Sequence, residues 1–165
     1  MSAVTLRSWS ESDADWYAAS TRDPLIQRFT TESADLTADE VRAAIRALLA
    51  SDNPCAGLVI TDSPTGERLG NIAVTREGEV SYWLAAPARG RGAATIALRC
   101  FSDWVLATTD ATELWLRVHS ENAASAAVAF RAGYERDPAR DDQRLVNGEL
   151  WTRVADSLAG PVTSR

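Results

Sequence analysis

Two glycines, Gly90 and Gly92, stand where one periodicity ends and another begins. They fall inside WLAAPARGRGAATIALRCF, Trp83 to Phe101. Upstream, EVSYWLA reads as a strand. Downstream, Ile96–Ala97, Cys100–Phe101 and Trp104–Val105 recur every four residues, as one helix face does. Farther on, ELWLRVH places Leu114, Leu116 and Val118 on one side of a strand. A strand–turn–helix–strand unit requires layers, with the helix packed on a sheet and the two strands parallel. The turn itself has a chemical character. Glycine permits backbone conformations and close approach denied to other residues. Successive N–H groups in such a turn, followed by the free N–H groups and positive end of a helix, suit a phosphate. Arg89 and Arg91 add permanent charge and forked donors. A ligand-free βα turn with solvent-facing arginines is the plainer alternative. A dinucleotide fingerprint fits poorly, because Thr95 occupies its third small position.

The rest of the chain supports an α/β (α+β) domain with a mixed, mostly antiparallel sheet and about four helices. VTLRSW alternates as a strand, and SESDADWYAAS opens a helix capped by Ser10 or Ser12. LTADEVRAAIRALLAS is the clearest helix. Thr37 and Glu40 form a capping box, and Val41, Ala44, Ile45, Leu48 and Leu49 make an apolar stripe. GLVITD and RLGNIAVT flank a turn as a hairpin. ENAASAAVAFRAGY is a short helix stopped at Gly133, with Phe130 and Tyr134 expected in the core. RLVNGELWTRV predicts a hairpin around Asn147–Gly148. Cys100 is expected to be a buried small hydrophobe. The 165 residues suit one domain over 1–165, with 156–165 as a flexible tail.

Composition removes most familiar chemistries. All 17 basic residues are arginine, which excludes a lysine Schiff base and a P-loop lysine. One histidine, His119, and two cysteines, Cys55 and Cys100, make no zinc set, so no metal is expected. There is no Gly-x-Ser-x-Gly elbow. A net charge of −6 argues against a nucleic-acid partner. No apolar run spans a bilayer, so no membrane partner is expected. The N-terminal residues lack a signal-peptide pattern, and the expected location is cytoplasmic.

RGRGAA, Arg89 to Ala94, fits Arg/Gln-x-x-Gly-x-Gly/Ala. Together with LRVHSENAASAAVAFRAGYER about 30 residues later, it resembles the GNAT superfamily of N-acetyltransferases. The closer likeness is to the branch of ribosomal-protein N-terminal acetyltransferases, and it covers nearly the whole chain. Ile96 stands where that branch often has a charge, and Pro87 lies one place after its common proline. The resemblance implies acetyl-CoA as co-substrate. Its diphosphate would lie on Arg89, Gly90, Arg91, Gly92, Ala93 and Ala94. Its pantetheine arm would pair with Trp83, Leu84 and Ala85 as an added strand does. Asn122 and Ser125 match positions near the thioester. Their plainer roles are helix capping and first-turn packing.

The implied reaction moves an acetyl group directly to a primary amine, on a peptide N-terminus or a small molecule such as an antibiotic. Ser125 is the candidate donor to the leaving thiolate, and an N–H near Leu84 the oxyanion donor. Glu79 is the candidate base, with Glu77 and Glu32 as rivals. Trp16, Tyr17, Phe29, Tyr82 and Trp151 are candidate acceptor-pocket residues, supplied by the first two helices and the final hairpin. A homodimer through that hairpin is compatible with the pattern. Two other readings stay open: an acyl-CoA-binding sensor or assembly subunit without turnover, and a nucleotide-binding module.

Overall fold

The computed structural model describes residues 3–53, 56–141 and 148–155. Its first sheet has strands β1 (Val4–Arg7), β2 (Gly57–Asp62), β3 (Arg68–Val74) and β4 (Val80–Leu84), in that spatial order. All three pairings are antiparallel. A second sheet holds β5 (Glu113–His119), β6 (Glu135–Arg136) and β7 (Gly148–Val154), in the order β5-β7-β6. β7 therefore pairs along its whole length with β5 on one side and, at Trp151 and Thr152, with the two-residue β6 on the other.

The sheets meet at one point. Glu79 and Trp115 form an isolated parallel bridge, and Trp115 N–H donates to the Gly78 carbonyl at 3.0 Å. Gly78 makes this approach possible. Its φ is +91°, and a Cβ there would lie 2.8 Å from the Glu113 carbonyl oxygen. Beyond that point β4 and β5 diverge, and no further ladder joins them among the described residues. The expected splayed parallel pair is thus a wedge, closed at Glu79 and open toward Leu84.

Among the described residues five α-helices pack on the sheets: α1 (Ala14–Ser20), α2 (Pro24–Phe29), α3 (Ala38–Leu49), α4 (Ala93–Thr108) and α5 (Ala123–Arg131). Local chemistry starts several of them. Thr37 and Glu40 form the expected reciprocal capping box, and Ser10 forms another with Asp13 ahead of α1. α2 was not evident from periodicity, being only six residues long. Its signature is Asp23, whose carboxylate accepts from Leu25 and Ile26 N–H, followed by Pro24 in the first turn.

α4 joins the sheets into one core. Ala97, Leu98, Phe101 and Val105 are buried among Ile60 and Ile72 of the first sheet and Leu114 and Val118 of the second. The buried face is shifted one residue from the expected phase. One residue turns a helix by about 100°, and the shift leaves Cys100 exposed instead of buried. Phe130 is likewise 69% exposed, whereas Tyr134 is buried as expected, with its hydroxyl 2.7 Å from Ser102 Oγ. α5 turns Ala129 inward and Phe130 outward. Trp9, Val41, Ile45 and Val59 form a smaller core where α1 and α3 cover the sheet's other face. Ala44 and Leu49 of the expected stripe are exposed.

The upstream arm of the hairpin expected around Asn147 and the tail at 156–165 lie outside the described residues.

Candidate active site

The open edge of β4 follows from its register. Val74 pairs with Val80, Ile72 with Tyr82 and Gly70 with Leu84. Thr75 N–H donates to the Glu79 carbonyl, and Ala85 N–H to the Leu69 carbonyl. These bonds bracket the ladder, so Trp83 exchanges its backbone bonds with Asn71 while Tyr82 and Leu84 point theirs away from β3. Of the expected run Trp83–Ala85, only Leu84 therefore aims its main chain into the wedge, joined by Tyr82. Trp83 contributes its side chain. Its Nε1 donates to Glu32 Oε1 at 3.1 Å, and Trp16 stacks on its ring at 5.8 Å between centroids.

The turn after β4 has the geometry of an anion cradle. Gly90 and Gly92 have φ of +75° and +79°, a left-handed conformation that favours glycine. A Cβ at either would meet nothing within 4 Å, so the space above them is open. Gly92 is the N-cap of α4 and brings no side chain to cap it. The first-turn N–H groups, at Ala93 and Ala94, have no partner within the helix. The two arginines turn onto the protein. Arg89 Nε donates to the Leu84 carbonyl at 3.1 Å, and its Nη2 pairs with Asp23 Oδ1 at 2.6 Å. Arg91 Nη2 donates to the Pro87 carbonyl at 2.9 Å. Arg89 thereby ties the turn to the start of α2. The same contact holds the Asp23 carboxyl below the usual carboxylate range.

Across the wedge stands the start of α5. Asn122 caps it, its Oδ1 accepting from Ser125 N–H at 3.1 Å. Ser125 Oγ lies 2.8 Å from the Tyr82 hydroxyl, linking α5 to β4. Burial pushes the Tyr82 phenol up to about 12, so it remains a proton donor at neutral pH.

Two cavities meet at these residues. One, about 210 Å³, runs beside Leu84, Arg89, Gly90 and Ala94. The other, about 330 Å³, is walled by Phe29, Glu32, Glu79, Arg117 and His119. Tyr82, Trp83, Asn122 and Ser125 line both. The expected base, Glu79, is on the wall of the larger cavity, with Oε1 3.7 Å from Arg117 Nη2. Glu32 is on its wall too, accepting from the Tyr17 hydroxyl and from Trp83. Burial and the Glu32 carboxylate together raise the Tyr17 phenol above its ordinary range. Glu77 is exposed and touches the site region only through its carbonyl, which accepts from Trp115 Nε1. His119 Nδ1 accepts from Glu121 N–H at 3.1 Å, which places the neutral ring's proton on Nε2.

The expected aromatic pocket is only partly assembled. Phe29 and Tyr82 line the larger cavity, but Trp16 and Trp151 do not. Trp16 is occupied with Trp83, and Trp151 packs against the main core. In place of the C-terminal hairpin, β5 and the segment after α2 complete the walls. Sequence reasoning missed Asp23, which anchors Arg89, and two wall residues of the larger cavity, Thr30 and Asn71. Only Asp23 carried a local signal, the Asp-Pro helix start.

The family described as acetyltransferase (GNAT) domain matches residues 3–135. No curated protein matches the sequence. Among solved structures, the chain is similar to an acetyltransferase from Agrobacterium tumefaciens str. C58, with a TM-score of 0.76 and 25% identity over 92% of this chain and 91% of that one. It is similar in fold to ribosomal-protein-S5-alanine acetyltransferase from Vibrio fischeri, with a TM-score of 0.80 and 17% identity over 93% of each chain. It is also similar in fold to spermidine N-acetyltransferase from Vibrio cholerae in complex with CoA and spermine. There the TM-score is 0.72 and the identity 14%, over 90% of this chain and 92% of that one.

Proposed function

From the premise that the chain belongs to the GNAT acetyltransferase family, N-acetyltransferases that take acetyl-CoA as co-substrate, we propose how its own residues divide the work. The diphosphate rests on the main chain of the Arg89–Ala94 turn and the uncapped start of α4. The pantetheine arm pairs with the outward N–H of Leu84 and the outward backbone of Tyr82, the Leu84 carbonyl being taken by Arg89 Nε. The thioester then reaches the point where the two cavities join, beside Ser125 and Asn122. The observation that carries this reading is the register of β4, which leaves those main-chain groups directed into an open wedge. Arg89, on the wall of the smaller cavity, ties the turn to Leu84 and Asp23, Arg91 ties it to the Pro87 carbonyl, and the glycine turn leaves room for the ligand.

The acceptor amine comes from the larger cavity and must be neutral to attack. An α-amine with a pKa near 7.7–8 is roughly one-tenth neutral at pH 7, whereas a lysine-like amine is below about 0.1%. Glu79 takes the proton. It lies three residues from Tyr82 along the strand, about 10 Å, so a relay of waters completes the path. An outward N–H of Leu84 or Tyr82 holds the developing oxyanion. Ser125 donates to the departing thiolate and is resupplied by Tyr82, which regains a proton from solvent as Glu79 returns the amine's proton to solvent. Transfer is direct, and Cys100 lines neither cavity. The acceptor is a peptide N-terminus or a small amine, and the setting is the cytoplasm.

Thermal shift combined with free-thiol release tests this. Ligand at 100 times its dissociation constant adds about 2.7 kcal/mol. CoA should stabilise the protein while ATP and NADH do not, and acetyl-CoA should release thiol only when an amine is added. Tight CoA binding with no turnover on any amine would favour a sensor. Stabilisation by ATP or NADH alone would favour a nucleotide module.

A further inference from the structure

A third cavity adjoins the acceptor site. It is about 370 Å³, lies between α3 and the β2–β3 face, and its walls include Trp9, Leu36, Val41, Ile45, Leu48 and Ala73. Its lining is largely apolar, unlike the acceptor cavity, where Glu79, Arg117, His119 and Asn122 gather. The two share two residues, Glu32 and Asn71. Glu32 is fixed at this waist, because the Tyr17 hydroxyl and Trp83 Nε1 both donate to its Oε1. Among the described residues both donors to Glu32 fall on Oε1, and Oε2 accepts from none. A carboxylate oxygen at the join of a polar and an apolar cavity suits a primary ammonium with a hydrophobic substituent beside it.

We infer that the acceptor is a primary amine bearing a bulky aromatic or branched aliphatic group within a few bonds of its nitrogen. The nitrogen sits in the polar cavity, held by Glu32, and the apolar group fills the groove under α3. This rests on the reading of the site as an acetyltransferase and adds the acceptor's class. The same chemistry occurs in arylalkylamines and in peptides beginning with leucine or phenylalanine. Long polyamines, with charge along their length, would place an ammonium against Val41 and Ile45, where the one nearby carboxylate besides Glu32, the exposed Glu40, already accepts from Thr37 N–H and Oγ1.

The test compares acetylation of phenethylamine, ethylamine, spermidine, and peptide amides beginning with Phe or Ala, for wild type and for Ala44→Leu and Ala73→Leu. Ala44 lines the groove from an exposed position of α3, so leucine there is compatible with the helix. A hydrophobic pocket discriminates by about tenfold or more for each group it accommodates. Phenethylamine should exceed ethylamine in kcat/KM by at least tenfold, and both substitutions should cut that ratio at least fivefold through KM. If only the peptides show the preference, the source is an N-terminus; if phenethylamine shows it as well, a free amine suffices. Robust turnover with spermidine or ethylamine favoured, or a ratio unchanged in both variants, would overturn this inference and leave the acetyltransferase reading intact. Thiol release with no amine at all would overturn both.

Discussion

Tyr82 Oη and Ser125 Oγ lie 2.8 Å apart, joining the open edge of β4 to the first turn of α5 across the mouth of both cavities. The pair spans the gap into which the thioester must come. A serine hydroxyl alone is a weak acid. Backed by a phenol that burial keeps protonated, it can give up a proton and be restored at once.

Substitution of either residue should therefore act on turnover. Ser125→Ala and Tyr82→Phe are each expected to lower kcat by about 10²-fold, the usual scale of one general acid. The double variant should fall little below the worse single one, because the two act as a unit. CoA affinity by calorimetry should change less than threefold. Losses that multiply in the double variant would separate the two residues.

The Tyr82 phenol also sets a pH expectation. Its pKa near 12 means it stays a donor throughout the neutral and moderately alkaline range. With an acceptor of pKa near 8, kcat/KM should rise as the amine deprotonates and hold a plateau to about pH 10. Tyr82→Phe should lower the plateau without moving its ascending limb. A descending limb at pH 8–9, abolished by Tyr82→Phe, would contradict the assignment.

Glu79 and Glu32 face the same cavity and should differ in what they control. Glu79→Gln is expected to reduce kcat by 10²-fold or more, with the loss smallest for amines already neutral at the assay pH. Glu32→Gln should chiefly raise KM for the acceptor. Steady-state kinetics on both variants checks the split, and a reversed pattern would make Glu32 the base.

Asp13 bears on stability. It is 1% exposed, its carboxylate is bonded by Arg7 Nη1 at 2.8 Å and Arg68 Nε at 2.6 Å, and it accepts from Ser10 N–H. Burial alone would raise its pKa. The two guanidinium groups and the amide outweigh that and bring it down to about 2. A carboxyl depressed in the folded state contributes stability above its unfolded pKa and loses it as pH falls toward the folded one. Acid denaturation should thus show a component between about pH 4 and 2. Asp13→Asn should remove that component and cost on the order of 2 kcal/mol at pH 7, with the arginines partly exposed to water. Chemical denaturation at pH 7 and pH 3 measures both.

What could be read from the sequence was what short-range chemistry dictates. The Thr37–Glu40 capping box, the glycine turn at 90 and 92, and the Asn122 cap each depend on residues within four positions. The order of strands followed from alternation. The phase of α4 did not, because Ile96 and Ala97 are equally apolar neighbours and only the two sheets decide which faces in. The site's key contacts were out of reach for the same reason. Trp83 finds Glu32 across 51 residues, Tyr82 finds Ser125 across 43, and Arg89 finds Asp23 across 66. Each residue type was visible, but the partnerships are made by tertiary packing: the wedge that Gly78 permits brings Ser125 to Tyr82, and the docking of α2 beside β4 brings Glu32 and Asp23 to Trp83 and Arg89.

The Arg89–Ala94 turn should be sensitive to its backbone more than to its arginines. Arg89→Ala loses the Asp23 and Leu84 contacts and should weaken CoA binding by only a few-fold to tenfold. Gly92→Val places a β-branched residue at a φ of +79° and fills the open space above the turn, so its effect should be larger.

Calorimetric titration of CoA and of pantetheine, which lacks the diphosphate, into wild type and Gly92→Val tests the main-chain cradle most directly. Circular dichroism first establishes that the variant is folded. The expected result is a loss of at least tenfold in CoA affinity, with pantetheine binding unchanged. Equal CoA affinity in the two proteins would show that the diphosphate is held somewhere else.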